Sequence, residues 1–85
     1  MPEICRFYGI IVTMFYRDHP PPHFHARYGE FAAVIGLEDF RILKGALPPK
    51  ALSLVMEWAA IYRSNLATAW DIVQRGGHAR VEPLR

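Results

Sequence analysis

Three of the four histidines in this 85-residue chain fall within seven positions, in the stretch Asp18-His19-Pro20-Pro21-Pro22-His23-Phe24-His25-Ala26. Imidazole exchanges protons near neutral pH and, when neutral, offers a nitrogen lone pair to a metal. A clustered set therefore has three uses. The first is structural: His19, His23 and His25 hydrogen-bond backbone groups at a stiff proline corner. The second is a face for RNA or another phosphate-bearing ligand. There His23 and His25 serve as general acid and base, and Arg27 grips a phosphate as a planar fork. Arg17, Asp18, His19 and Tyr28 flank that face as further ligand contacts. The third is a zinc-type metal site built from His19, His23 and His25, with Asp18 or Glu30 as a fourth ligand.

What positions these side chains is the backbone around them. Proline fixes φ and biases the preceding residue toward extended geometry, so the segment from Pro20 to Pro22 is stiff. Beyond it, a strand over 23–28 places His23, His25 and Arg27 on one face. Gly29-Glu30 then separates two strand-like runs, as a tight hairpin turn opened by glycine requires. With Tyr28 paired to Phe31, the residues Phe24, Ala26, Tyr28, Phe31, Ala33 and Ile35 share the core face. His23 then lies across from Gly36. A strand is also predicted within 9–17, where both sides are largely apolar. Glu38-Asp39 reads as a turn, and 41–43 as a short last strand.

The second half is helical. Pro48-Pro49 suits a helix start, and apolar positions recur from Leu52 through Val55, Met56, Ala59, Tyr62, Leu66, Ala69, Trp70 and Val73. One helix bent at Ser64-Asn65, or two collinear ones, fits this rhythm, which Gly76-Gly77 ends. Leu54, Trp58 and Ile61 lie off the main stripe. They either widen the core-facing side or present Trp58 and Ile61 to a partner. The predicted fold is α+β: a small antiparallel β-meander over about 4–43, packed against one long or two collinear C-terminal helices over about 49–75. A tail over 76–85 adds an edge strand or reaches a neighbouring chain.

Composition narrows the function classes. Eighty-five residues make a single domain over 1–85, and 52% hydrophobic residues suffice for a folded core. The lone Cys5 permits no internal disulfide, so stability rests on packing, with self-association as a further source, and a reduced, cytoplasmic setting is expected. The apolar run over 7–16 is too short for a membrane helix and lacks a signal-peptide cleavage site. A net charge of +2 does not by itself argue for nucleic acid, although eight of the ten cationic residues are arginines. His78, in the glycine-rich tail, reads as a surface histidine.

Taken together, Pro2-Glu3-Ile4, Phe15-Tyr16-Arg17-Asp18-His19, Pro21-Pro22-His23-Phe24-His25-Ala26, Tyr28-Gly29-Glu30 and the helix from Glu57-Trp58-Ala59 to Trp70 resemble a small bacterial family, domain of unknown function 4160. Its hallmark is the Pro-Pro-His-Phe-His core, and the resemblance covers essentially the whole chain. It departs in the helix, where Leu66-Ala67-Thr68-Ala69 replaces a more charged stretch. The resemblance implies no reaction. It does imply a partner, a small protein of the domain of unknown function 2442 family, in a two-protein arrangement similar in layout to toxin–antitoxin modules. On this basis the chain is expected to be one half of such a pair, with its His/Arg face contacting RNA or the partner. The enzyme expected, if any, is a metal-independent ribonuclease. The alternatives are a zinc-type module or a purely structural interaction domain.

Overall fold

The computed structural model describes residues 2–85. Five strands, β1 (Glu3–Phe7), β2 (Ile10–Thr13), β3 (His23–Tyr28), β4 (Phe31–Gly36) and β5 (Ile42–Ala46), form one antiparallel sheet in chain order. Two helices follow, α1 (Pro49–Ile61) and α2 (Arg63–Gln74). This is the predicted α+β meander with C-terminal helices.

The hairpin of β3 and β4 has the expected register, with Tyr28 across from Phe31, Phe24 from Ile35 and His23 from Gly36. Phe24, Ala26, Ala33 and Ile35 are buried as the alternation requires. Tyr28 and Phe31, on the same face, lie beyond the core at the hairpin tip and are exposed.

The single strand predicted within 9–17 is different in two respects. β2 ends at Thr13, and it is preceded by a separate strand, β1. Tyr8 and Gly9 join them with φ of 49° and 81°, two consecutive left-handed residues as a type I′ turn demands. Glycine takes that conformation readily and tyrosine does not, so Tyr8-Gly9 is a weak turn signal in the sequence. The last strand also begins one residue later than predicted and runs on to Ala46.

Pro49 occupies the first turn of α1, where a missing N–H is harmless. The break between helices falls at Tyr62 (φ −108°, ψ 30°), not at Ser64-Asn65. At the end of α2, Gly76 (φ 88°) donates to the Val73 carbonyl and Gly77 to that of Ile72, a glycine-dependent Schellman ending.

The core lies between one sheet face and the helices. Ile10, Val12, Phe24, Ile35, Val55, Trp58 and Leu66 are fully buried in it. Trp58 is therefore not part of a partner surface. Its ring packs edge-on against Phe24 and tilted against Phe7, and its indole N–H donates to the Glu82 carbonyl at 2.7 Å. That bond ties down the tail, which also donates from Val81 N–H to the Ile4 carbonyl and buries Ala79, Val81 and Leu84. The tail thus lies against β1 through one backbone hydrogen bond but forms no strand, so the expected edge strand is absent and the sheet ends at β1. Ile61 remains 58% exposed.

Trp58→Ala is expected to destabilise the fold by about 3–5 kcal/mol, through the cavity and the lost anchor of the tail. Ile61→Ala should stay within about 0.5 kcal/mol of the wild type. Urea unfolding of the two variants separates these expectations.

Candidate functional site

The segment between β2 and β3 has no helical or strand rhythm, and side chains define its path. Arg17 sits at φ 59°, a left-handed conformation that bends the chain so that Asp18 turns back toward β3. Its guanidinium rests over the Tyr16 ring, 5.2 Å from the centroid. Gln74, at the end of α2, holds the bend from outside. Its Nε2 donates to the Phe15 carbonyl (2.8 Å), and its Oε1 accepts from the Asp18 N–H (3.2 Å). The Pro20–Pro21 peptide is cis, and the Pro22 carbonyl accepts from the Leu37 N–H at 2.9 Å.

Asp18 is the centre of the site. One carboxylate oxygen, Oδ1, accepts from the His19 N–H at 2.9 Å. The other, Oδ2, faces two imidazoles, His23 Nε2 at 2.8 Å and His25 Nε2 at 3.3 Å. His23 is 7% exposed and its Nδ1 lies 2.7 Å from the Pro21 carbonyl. A carbonyl oxygen can only accept, so Nδ1 must carry the proton. Nε2 then faces a carboxylate oxygen, and two lone pairs at that separation repel unless a positive charge lies between them. A proton, making the imidazolium, or a metal cation meets that requirement.

Neighbouring rings fix both imidazoles. Trp70 stacks at a tilt on His23 (5.2 Å between centroids), and Phe15 meets His25 edge-on at 4.7 Å. The two imidazole centroids are themselves 5.2 Å apart. His25 keeps a third of its side-chain surface in solvent.

Of the residues proposed from the sequence, the structure brings together His23, His25 and Asp18. Arg27 follows His25 on the same strand face, exposed. The His19 ring is outside the Asp18–His23–His25 group, and His19 contributes its backbone N–H instead. Tyr28 belongs to the opposite face of β3, and Glu30 lies at the far hairpin tip. Neither joins the cluster. Gln74 and Trp70 were missed as site residues, although their spacing of four along α2 puts them on one helix face. His78 lines an open cleft of about 700 Å³ with Glu3, Tyr16 and Arg80. Cys5 is buried, which pushes its thiol pKa up and leaves it a core residue.

Burial alone would raise the Asp18 carboxyl, but the His19 amide and the two imidazoles outweigh it and hold the group below its ordinary value. A carboxyl depressed in the folded state stabilises the fold fully above its unfolded value, about 3.9, and loses that contribution as pH falls through the lower folded value. Asp18→Asn is therefore expected to flatten the loss of stability between about pH 4 and pH 2. Urea unfolding across that range checks it, and parallel acid limbs for the two proteins contradict it.

No curated protein and no solved structure matches the chain. The family model described as a domain of unknown function, DUF4160, matches residues 9–71. That span includes Asp18, His23, His25, Arg27 and Trp70 and stops short of Gln74 and the tail. On that match the chain belongs to the domain of unknown function 4160 family.

Proposed function

We propose that the chain binds RNA on the open face of its sheet and works as one half of a two-protein, toxin–antitoxin-like pair. The observation that carries this reading is the charge of that face. Arg6, Ile11, Arg27, Ala32 and Ala46 form one cross-strand row, and Glu3, Thr13, His25, Val34 and Lys44 the next. The only carboxylate in these rows, Glu3, is held by Arg6 at 2.8 Å. Arg27 and Lys44 are exposed and have no acidic partner among the described residues. Between them run apolar side chains, and a groove of about 180 Å³ is lined by Ile11, Phe15, His25 and Arg27. Cations interleaved with apolar and aromatic surface suit a single strand, whose phosphates and bases need one of each.

In this reading Arg27 grips a phosphate and His25, the more accessible imidazole, meets the ligand. His23 is buried and positions its neighbours rather than touching RNA. The partner is a small protein of the domain of unknown function 2442 family, and Ile61 is the exposed large apolar residue of α1 available to it.

Fluorescence anisotropy with a labelled single-stranded oligoribonucleotide tests the central part. Binding is expected to weaken with salt, and Arg27→Ala should reduce the slope of log affinity against log salt by about 0.7. Absence of binding by folded wild type at low salt contradicts the reading. For the pair, induced expression of this chain alone should arrest bacterial growth, or its partner's expression should do so until this chain is supplied. Neutral growth in both cases removes that arrangement.

A further inference from the structure

We propose that Asp18, His23 and His25 form a binding site for a divalent metal of the zinc class, independently of RNA binding. The three ligand atoms lie within 4.8 Å of one another. Zinc bonds of about 2.0–2.2 Å at tetrahedral angles place neighbouring ligand atoms roughly 3.4 Å apart. The Asp18 Oδ2 to His25 Nε2 distance is 3.3 Å, and Oδ2 to His23 Nε2 is 2.8 Å. A cation between them therefore needs a small opening of the second pair, with the two imidazole nitrogens already within 4.8 Å of each other.

The surroundings prepare these atoms as ligands. The Pro21 carbonyl holds the proton on His23 Nδ1 and so leaves Nε2 as the donor nitrogen. A metal-bound imidazole typically donates its other ring N–H to a carboxylate, a backbone carbonyl or water, and Pro21 offers the carbonyl. The His19 amide occupies Oδ1 of Asp18, leaving Oδ2 for the metal. Trp70 and Phe15 fix the ring planes, and Gln74 fixes the loop that presents Asp18. A ligand site of this kind must be rigid before the ion arrives, and these contacts supply that rigidity.

Ligand chemistry narrows the ion. Two imidazoles and one carboxylate favour zinc or a neighbouring first-row ion over calcium and magnesium, which prefer all-oxygen shells. A carboxylate and two neutral imidazoles leave a dication with net +1 charge. Three protein ligands also leave a fourth tetrahedral position, the pattern of zinc sites that hold water or a ligand rather than of closed structural sites. His25 also lines the groove that holds Arg27, so the cluster adjoins the cationic face.

Titration of the metal-free protein with Zn²⁺ alone, followed by calorimetry and thermal unfolding, tests the site. One equivalent is expected to bind and raise the Tm. Co²⁺ should give the visible bands of a low-symmetry, four-coordinate ion, which Zn²⁺ abolishes. His25→Ala and Asp18→Ala should each weaken Zn²⁺ binding at least tenfold, while His19→Ala and His78→Ala leave it unchanged. If Asp18→Ala does not fold, His25→Ala, whose ring is partly in solvent, carries the test. Folded wild type that takes up no Zn²⁺, or uptake that His25→Ala leaves intact, overturns the proposal.

Discussion

The Pro21 carbonyl can accept a hydrogen bond but never donate one, and much of the structure follows from that. It fixes the proton on one nitrogen of His23. The other nitrogen is thereby turned on the Asp18 carboxylate, which His25 approaches as well. For that meeting to occur, the loop must bring Asp18 back across the start of β3. Arg17 accepts an unfavourable left-handed conformation to make the bend, and Gln74 holds it from the end of α2. Backbone strain in a non-glycine residue persists only where surrounding contacts over-determine it. Here those contacts converge on a carboxylate and two imidazoles.

The two sides of the sheet divide the work. One face is packed with Phe24, Ile35 and Trp58 and supplies the stability of a small, disulfide-free domain. The tail closes the β1 side, through Val81 and the Glu82 carbonyl that Trp58 holds. The other face keeps its cations and its groove open to solvent. At the boundary between them, His23 is covered by Trp70 while His25 reaches outward. One cluster thus holds a buried imidazole and a partly exposed one. No helix among the described residues is long and apolar enough to cross a membrane.

The sequence was most legible where a local rule had no competitor. Gly29-Glu30 between two alternating runs set the β3–β4 register, and with it the shared face of His23, His25 and Arg27. The hairpin of β1 and β2 was hidden because its turn places Tyr8 in a conformation that tyrosine rarely adopts. Trp58 was ambiguous because a helix stripe gives a direction but not a width. Only the positions of Phe7, Phe24 and Glu82 show that it faces inward. The histidine cluster was visible as composition, but its chemistry was not. Which histidine joins Asp18 depends on a bend at Arg17 and a brace from Gln74, 56 residues further on than Asp18. No periodicity encodes a contact of that range.

The proton position on His23 is the most direct measure of this account. In the metal-free protein at neutral pH, long-range ¹H–¹⁵N NMR correlations of the imidazole distinguish a protonated nitrogen from a bare one. A proton on Nδ1, directed at the Pro21 carbonyl, is the expected result. A ring with Nδ1 bare and Nε2 alone protonated contradicts it, because the Pro21 carbonyl would then face a lone pair and the constraint that organises the site would not exist.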